Sequence, residues 1–464
     1  MAKKYLFLIL FLASALSVFP QTHRMGAILD NESYEKVPQK AITRDLTPLP
    51  RVYSLKQFSP FPGDQGDYNT CVGWATAYTA RTISESVGLK RTSRQNTTQN
   101  VFSVTHVYKN ISDNEGENGA NIAVALEFIR DTGAVKRRAE ETSLRFPAIS
   151  LNLFNTSKKY PIKEYVRLFI NPKGEPGAEN ERVQPVKKSL SEGKPVIIGM
   201  NCPGSFQFVA EEVWRPTESP YRVYGGHAMC VVGYDDNKYG GAFEIQNSWG
   251  TDWGNEGYIW ITYSDFAKFV YHAYEMIDVL LANEVKAEFS GSVDIEIKDN
   301  RNGMEVEFVN EGYYKTKRAY PSGTRFRYIM NCAKPAYFYA FAADANSFTR
   351  IFPADGFSAV LDYKENVFAF PFERTDEIRW LELDEVQGTD YLVVLFSKQP
   401  LDIDDIGNRF MSATGNFAQR VEKAVGRNFL RPQTAKYERN RMSYTAQSTN
   451  ENAVFGLLLA IEHN

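Results

Sequence analysis

The chain has 464 residues, 43% of them apolar and 23% charged, with a formal net charge of −3. At roughly 150 residues per domain that length predicts two or three domains, and the composition is that of a globular protein. A slightly acidic chain argues against nucleic-acid or anionic-membrane binding, because both need clustered Lys and Arg.

Lys3 and Lys4 precede an apolar run from Tyr5 to Phe19 that carries small residues at Ala13, Ser14, Ala15 and Ser17. This is the layout of a signal peptide over residues 1–21. The run is short for a bilayer span, and the last apolar run, Ala453 to Ile461, is shorter still. The expectation is an exported protein, secreted or periplasmic, that does not span a membrane once the signal is removed. Residues 22–45 are polar without periodicity and read as a leader or extended arm.

"TPLPRVYSLKQFSPFPGDQGDY" is rich in Pro and Gly and reads as irregular. A helix is expected from Cys71 to Val87, with Trp74 and Tyr78 on one face and Asn69 or Thr70 as its cap. "KRTSRQNTTQN" reads as a loop. "NIAVALEFIRDTGAV" reads as a second helix stopped near Gly133, and "KKSLSEGKPVIIGMN" as helix, turn and strand. "GGHAMCVVGYDD", "GAFEIQNSW" and "GYIWITYSDF" read as strands. After about Leu281 short strand-like runs alternate with turns, with one helix in "FAQRVEKAVGRNF" and a closing strand in "VFGLLLAIEHN".

Four cysteines, Cys71, Cys202, Cys230 and Cys332, are too scattered for a disulfide framework. Cys202 and Cys230 are expected as free packed thiols rather than a bridge, and Cys332 in a second core. No C-x-x-C pair or His–Cys cluster is present, so no metal or cofactor is expected. "SDNEGENGAN" lacks the alternation of a calcium loop and reads as solvated; "LDIDDIGN" reads as a helix-capping turn.

An activated thiolate needs a base, an orienter for that base, and donors for the oxyanion. Among five histidines, His23 lies in the arm and His463 at the C-terminus, while His106 and His272 sit in apolar surroundings and read as packing residues. His227 opens a strand after Gly225 and Gly226, where backbone can approach closely. Asn247 ends a later strand in "IQNSWGTDWGNEGYIWI". An amide there can hold an imidazole in one tautomer, and Trp249 can shield that hydrogen bond from water. Period-2 alternation puts Cys230 on the face opposite His227.

In "DQGDYNTC", "GGHAMCVVGYDD" and "IQNSWGTDWGNEGYIWI" the chain resembles the papain and cathepsin family of cysteine peptidases. The resemblance implies a papain-like α+β fold, a helical lobe plus a β-barrel-like lobe, over residues 46–285. It implies Cys71 as nucleophile with its thiol pKa depressed, His227 as its partner, Asn247 as orienter, and Gln65 with the Cys71 amide as oxyanion donors. "ENGANIAVALEF" resembles the family's substrate-binding segment, which places Gly119 and Ala120 in the cleft; Trp249 is assigned there as well. The chain differs from the family pattern at Tyr68 and Val72, where Cys and Trp are usual, and at Ala120, where Gly is. The arm is too short for the family's long helical inhibitory propeptide.

Residues 286–309 are read as a connecting segment. From 310 to 464, "YPSGTRFRYIMNC", "AYFYAFAADANSFTRIFP" and "GTDYLVVLFSKQPLDI" resemble a bacterial domain of unknown function. Tyr337, Tyr339 and Phe341 alternate with Phe338 and Ala340, so both faces of that strand are apolar, as in a covered sheet. A strand-rich α+β accessory domain with a protein or surface partner is expected. For the whole chain three readings stand: a peptidase acting on protein or peptide substrates, a binding protein on a peptidase scaffold, and an acyl transferase using the same triad.

Overall fold

The computed structural model describes residues 23–41, 48–112, 116–143, 146, 148–171, 176–209, 211–278, 287–298, 303–310, 312–344, 347–362, 367–371, 379–430 and 435–464. The expected signal peptide and residues 113–115 of "SDNEGENGAN" lie outside them. Among the described residues no helix is long and apolar enough to cross a membrane.

Glycine-bounded runs of β-branched and aromatic residues build an eight-stranded sheet in the N-terminal domain. Strand Gly225–Asp235 lies inside it, between Val196–Cys202 and Ala242–Gln246. Helices Val104–Ile111 and Ile122–Asp131 and a continuous helical segment, 71–88, form a second layer on one core. That segment starts as an α-helix at Cys71–Gly73, widens into a π-helix at Trp74–Arg81, and narrows again at Thr82–Gly88. Trp74 and Tyr78 share a face, with ring centroids 4.7 Å apart. The expected cap is not made: Thr70 forms no side-chain cap, and Asn69 Nδ2 donates to the Glu117 carbonyl instead.

Three stretches differ from the sequence reading. "RVYSLKQF" contains strand Val52–Ser54, which pairs with Gly225–Asp235, and a 3-10 turn Lys56–Phe58. The polar "SRQNTTQ" is a helix, Arg94–Gln99, because Ser93 caps it and Thr97 is buried. "YSDFAKF" leaves its strand and becomes helix Tyr263–Phe269 behind the Thr262 cap. In each helix a single Ser or Thr satisfies an otherwise orphaned N–H and fixes the start.

The C-terminal domain is a sandwich of a seven-stranded and a six-stranded sheet. The segment expected to be a connector supplies strand Ala287–Ile297, which pairs with both Arg325–Cys332 and Met442–Ser448 in the interior of the second sheet. The closing strand Val454–His463 runs between Tyr313–Thr316 and Gly388–Ser397. Phe338 and Ala340 face the core between the sheets. Tyr337, Tyr339 and Phe341 face outward onto helices Ile403–Ser412 and Phe417–Val425, and onto Val166 and Ile277 of the N-terminal domain. "LDIDDIGN" starts the first of these helices, with Asp402 accepting from the Asp405 amide. The fold class is therefore mixed α+β with a strand-rich C-terminal region.

Candidate active site

Cys71 opens its helix at the interface of the two layers, fully buried. The loop before it is fastened to the stretch after Asn247: Gln65 N donates to the Ser248 carbonyl at 2.8 Å, and Asp64 bridges Trp249. His227 comes from the facing strand, in register with Met200. Its Nε2 lies 2.7 Å from Asn247 Oδ1, which also accepts from the Ser248 amide at 2.8 Å. The Ser248 N–H thus fixes which end of the Asn247 amide faces the ring, and so puts the imidazole proton on Nε2. His227 Nδ1 is buried without a protein partner, an acceptor held ready for a proton. The Ala228 amide faces the Cys71 thiol from the same strand.

Ser248 also orients Gln65. Its hydroxyl donates to Gln65 Oε1 at 2.7 Å, leaving Gln65 Nε2 to donate, and Nε2 reaches the Tyr68 carbonyl at 2.7 Å and the Arg24 carbonyl at 3.0 Å. Ser248 thus sets both amide side chains. The sequence reading passed over it, although it stands inside the "NSWG" stretch used to find Asn247. Trp249 covers the pair, stacked on His227 at 4.4 Å.

The cleft is occupied by the chain itself. Residues 23–29, expected to be a leader, thread through it as an extended plug. The Gly26 amide donates to Cys71 Sγ at 3.3 Å. The Ala27 amide donates to the Gly226 carbonyl at 3.0 Å, the Ile28 amide to the Ala120 carbonyl at 2.9 Å, and the Ala120 amide to the Gly26 carbonyl at 2.8 Å. Ala27 pairs with Ala120 in parallel. His23 stacks on the outer face of Trp249 at 4.7 Å, and its amide donates to Gln207 Oε1 at 3.0 Å. The fit depends on missing side chains. A Cβ on Gly226 would meet the Ala27 carbonyl oxygen at 2.0 Å, and one on Gly119 the Gly26 oxygen at 2.6 Å. Gly119, Ala120 and Trp249 therefore all touch a bound peptide segment. The sequence carried one signal for this segment, the small pair Gly26–Ala27, the only size that passes a narrow cleft.

The plug reverses the expected electrostatics. Burial raises the Cys71 thiol above its ordinary value, although the amides of Ala228, Gly26 and Val72 pull it back. Burial likewise lowers His227 to about 4, against the hydrogen bond to Asn247, which raises it. Both groups are neutral near pH 7 in this state, where the resemblance implied a thiolate. Burial penalises the charged form of each group.

Tyr68, where the family has a cysteine, packs edge-on against Phe146 at 5.1 Å, and Phe146 against Tyr108 at 5.7 Å. All four cysteines are free and buried. His106 and His272 are packing residues, each buried and lowered to about 4, chiefly by that burial.

The comparisons with known proteins follow this geometry. Residues 63–273 match the model of the papain family cysteine proteases. The chain is 28% identical to cathepsin K of Gallus gallus over 204 residues, 42% of this chain and 53% of that protein. It is 30% identical to a cathepsin L-like peptidase of Aedes aegypti over 150 residues, 32% of this chain and 40% of that one. An uncharacterized peptidase C1-like protein of Acanthamoeba polyphaga mimivirus is 32% identical over 89 residues, 18% of this chain and 27% of that protein. The chain thus spans from about a quarter to about half the length of these curated relatives. Among solved structures, xylellain, a cysteine protease from Xylella fastidiosa, is 22% identical with a TM-score of 0.40, covering 57% of this chain and all of that one. Procathepsin B S9 from Trypanosoma congolense is 17% identical with a TM-score of 0.43, covering 55% of this chain and 87% of that one.

Proposed function

We propose that the chain is an exported cysteine peptidase that cleaves peptide bonds in protein or peptide substrates. The observation that carries this reading is the plug. An extended polypeptide lies across Cys71, held by main-chain bonds to Gly226 and Ala120 and with one carbonyl on Gln65 Nε2. A cleft that grips backbone in this way takes extended peptides, with a demand for a small residue where Gly26 lies.

In the reaction, His227 Nδ1 takes the Cys71 proton and the thiolate attacks the substrate carbonyl carbon. Negative charge grows on the carbonyl oxygen and is met by Gln65 Nε2 and by the Cys71 amide at the helix start. The imidazolium, held by Asn247 Oδ1, then gives its proton to the leaving amine, and the acyl group stays on sulfur. Water, deprotonated by the same ring, releases the acid. Trp249 keeps solvent off the His227–Asn247 bond.

Labelling with an epoxysuccinyl thiol reagent tests the reading. A chain freed of its plug is expected to label at Cys71 and to cleave a denatured protein between about pH 5 and 8, near the range set by such an ion pair. A folded, plug-free chain that does neither overturns it and favours a binding protein. Mass analysis with an added amine separates hydrolysis from acyl transfer, since only the latter yields an amide product.

A further inference from the structure

The rim of the cleft carries an apolar patch that no core accounts for. It lies in the segment that joins strands Val196–Cys202 and Gly225–Asp235. There Tyr221 is 79% exposed and Val223 92%, and Phe208, at the end of the 3-10 turn Gly204–Phe208, is 51% exposed. Single exposed apolar residues are ordinary on a protein surface. Here the two most exposed ones stand two residues apart, on backbone that is fastened from behind.

The fastening groups are polar. Asn201, itself buried, donates from Nδ2 to the Arg222 carbonyl at 2.7 Å and accepts the Tyr224 amide on Oδ1 at 2.7 Å. Both neighbours of Val223 are thus bonded to one side chain, and the valine is left facing water. The Tyr271 hydroxyl donates to the Pro220 carbonyl at 3.1 Å, and the Tyr224 hydroxyl to the Ser219 carbonyl at 2.9 Å, which fixes the turn that carries Tyr221. Glu218 accepts the Ser205 amide at 2.8 Å and its hydroxyl at 2.6 Å, tying this turn to the one that ends at Phe208. Backbone held in this way has lost its freedom before anything binds, so a partner meets a preorganised surface.

The patch continues the path of the peptide in the cleft. On extended backbone, residues two apart face the same side, which puts Val223 with Gly225. The Met25 side chain lies over Gly225, where a Cβ would meet its Cε at 2.6 Å. Farther out, the His23 amide reaches Gln207, next to Phe208. The arm therefore touches both ends of this segment as it leaves the cleft, and a peptide on the same path runs onto the patch.

We propose that Tyr221, Val223 and Phe208 form a docking surface, outside the cleft, for apolar residues of an unfolded protein substrate bound in extended form. The inference rests on the peptidase reading and names its substrate class. An extended chain turns alternate side chains to one side, so it can lay apolar residues on the patch while its backbone stays in the cleft. A folded protein keeps most such residues inside and does not offer them. Tyr221 supplies broad contact area with only two side-chain torsions to freeze.

Two substrates test this on the two-domain chain beginning at Asp30, which lacks the plug. One is a reduced and carboxymethylated protein rich in Leu and Val; the other is a short reporter peptide that ends inside the cleft. In the double variant Tyr221→Ser, Val223→Ser, KM for the unfolded protein is expected to rise about tenfold with kcat within about twofold. Both constants for the reporter are expected to stay within about twofold. The thermal transition should move by no more than a few degrees, since both side chains are exposed. An unchanged KM for the unfolded protein, or an equal rise for both substrates, overturns the proposal. If no folded chain cleaves either substrate, the peptidase reading falls and binding of the fluorescently labelled unfolded protein decides the patch. Binding about tenfold weaker in the double variant keeps the surface, and equal binding removes it. A dimer, or binding to phosphatidylcholine vesicles, that the double variant loses would assign the patch to a second copy or to a lipid surface and overturn the proposal.

Discussion

In the N-terminal domain, polar side chains from distant stretches converge: Ser248 ties Gln65 to Asn247, Asn247 holds His227, and the Ala228 amide beside that ring faces the Cys71 thiol. In the accessory domain the comparable convergence is Phe338 with Phe352, Phe368 and Phe396, centroids 5.0 to 5.2 Å apart, inside the core between the sheets. One cluster is polar, oriented by Ser248 and open to a peptide; the other is apolar, edge-to-face and sealed. The difference teaches where single residues matter for chemistry and where they matter for the fold.

The sharpest way to break this contrast is Cys71→Ala in the chain beginning at Asp30. Turnover is expected to fall to background while the thermal transition stays within a few degrees, because the thiol supplies the attacking atom and little volume. A large loss of stability would mean that Cys71 is a packing residue after all. The mirror experiment is Phe338→Ala, expected to cost about 3–5 kcal/mol in a denaturant titration with kcat/KM of the folded fraction unchanged within about twofold. Loss of activity in the folded fraction would show that the accessory core communicates with the cleft.

Gln65→Ala comes next, expected to lower kcat about a hundredfold to a thousandfold, or ~3 to 4 kcal/mol of barrier, with a smaller loss in reversible peptide binding. Ser248→Ala sharpens this, since loss of its hydroxyl frees the Gln65 amide to rotate and should reproduce part of the same kcat defect. Equal losses in binding and kcat would make Gln65 structural. The smallest expected effect is on pH. His227 and His272 are lowered from 6.5 to about 4 in the fold. The unfolded chain therefore takes up protons between pH 6.5 and 4 that the folded chain does not, so stability falls across that window and is flat above pH 7. A denaturant midpoint in the plug-bearing chain that rises on acidification would contradict the burial of these rings.

The two domains also differ in how much of them could be read from the chain. The proximity of His227 and Asn247 was legible because Gly-rich and Trp-rich neighbours mark both, and such signals are local. The outward and inward faces of strand Ala336–Ala343 were legible for a similar reason, as plain alternation. Helix Arg94–Gln99 was not, because its sequence is polar and only the Ser93 cap marks its start. Strand Ala287–Ile297 is legible in part, as the strand-like run at its C-terminal end, but its central place in the sheet is not, because its partners, Arg325–Cys332 and Met442–Ser448, lie up to about 150 residues away, and pairing of that range leaves little local trace. The plug escaped for another reason. What makes it a ligand is backbone, and backbone is the same everywhere.

Tyr68, Phe146 and Tyr108 form an aromatic cluster near Cys71, and all four cysteines are free. An enzyme that works through a thiolate needs reducing surroundings to keep that sulfur from oxidation, whereas a fold stapled by cystines is weakened by the same surroundings. Here the two requirements do not conflict. Reductant that protects Cys71 has no cross-link to break, so the protein should keep its full melting temperature in millimolar dithiothreitol.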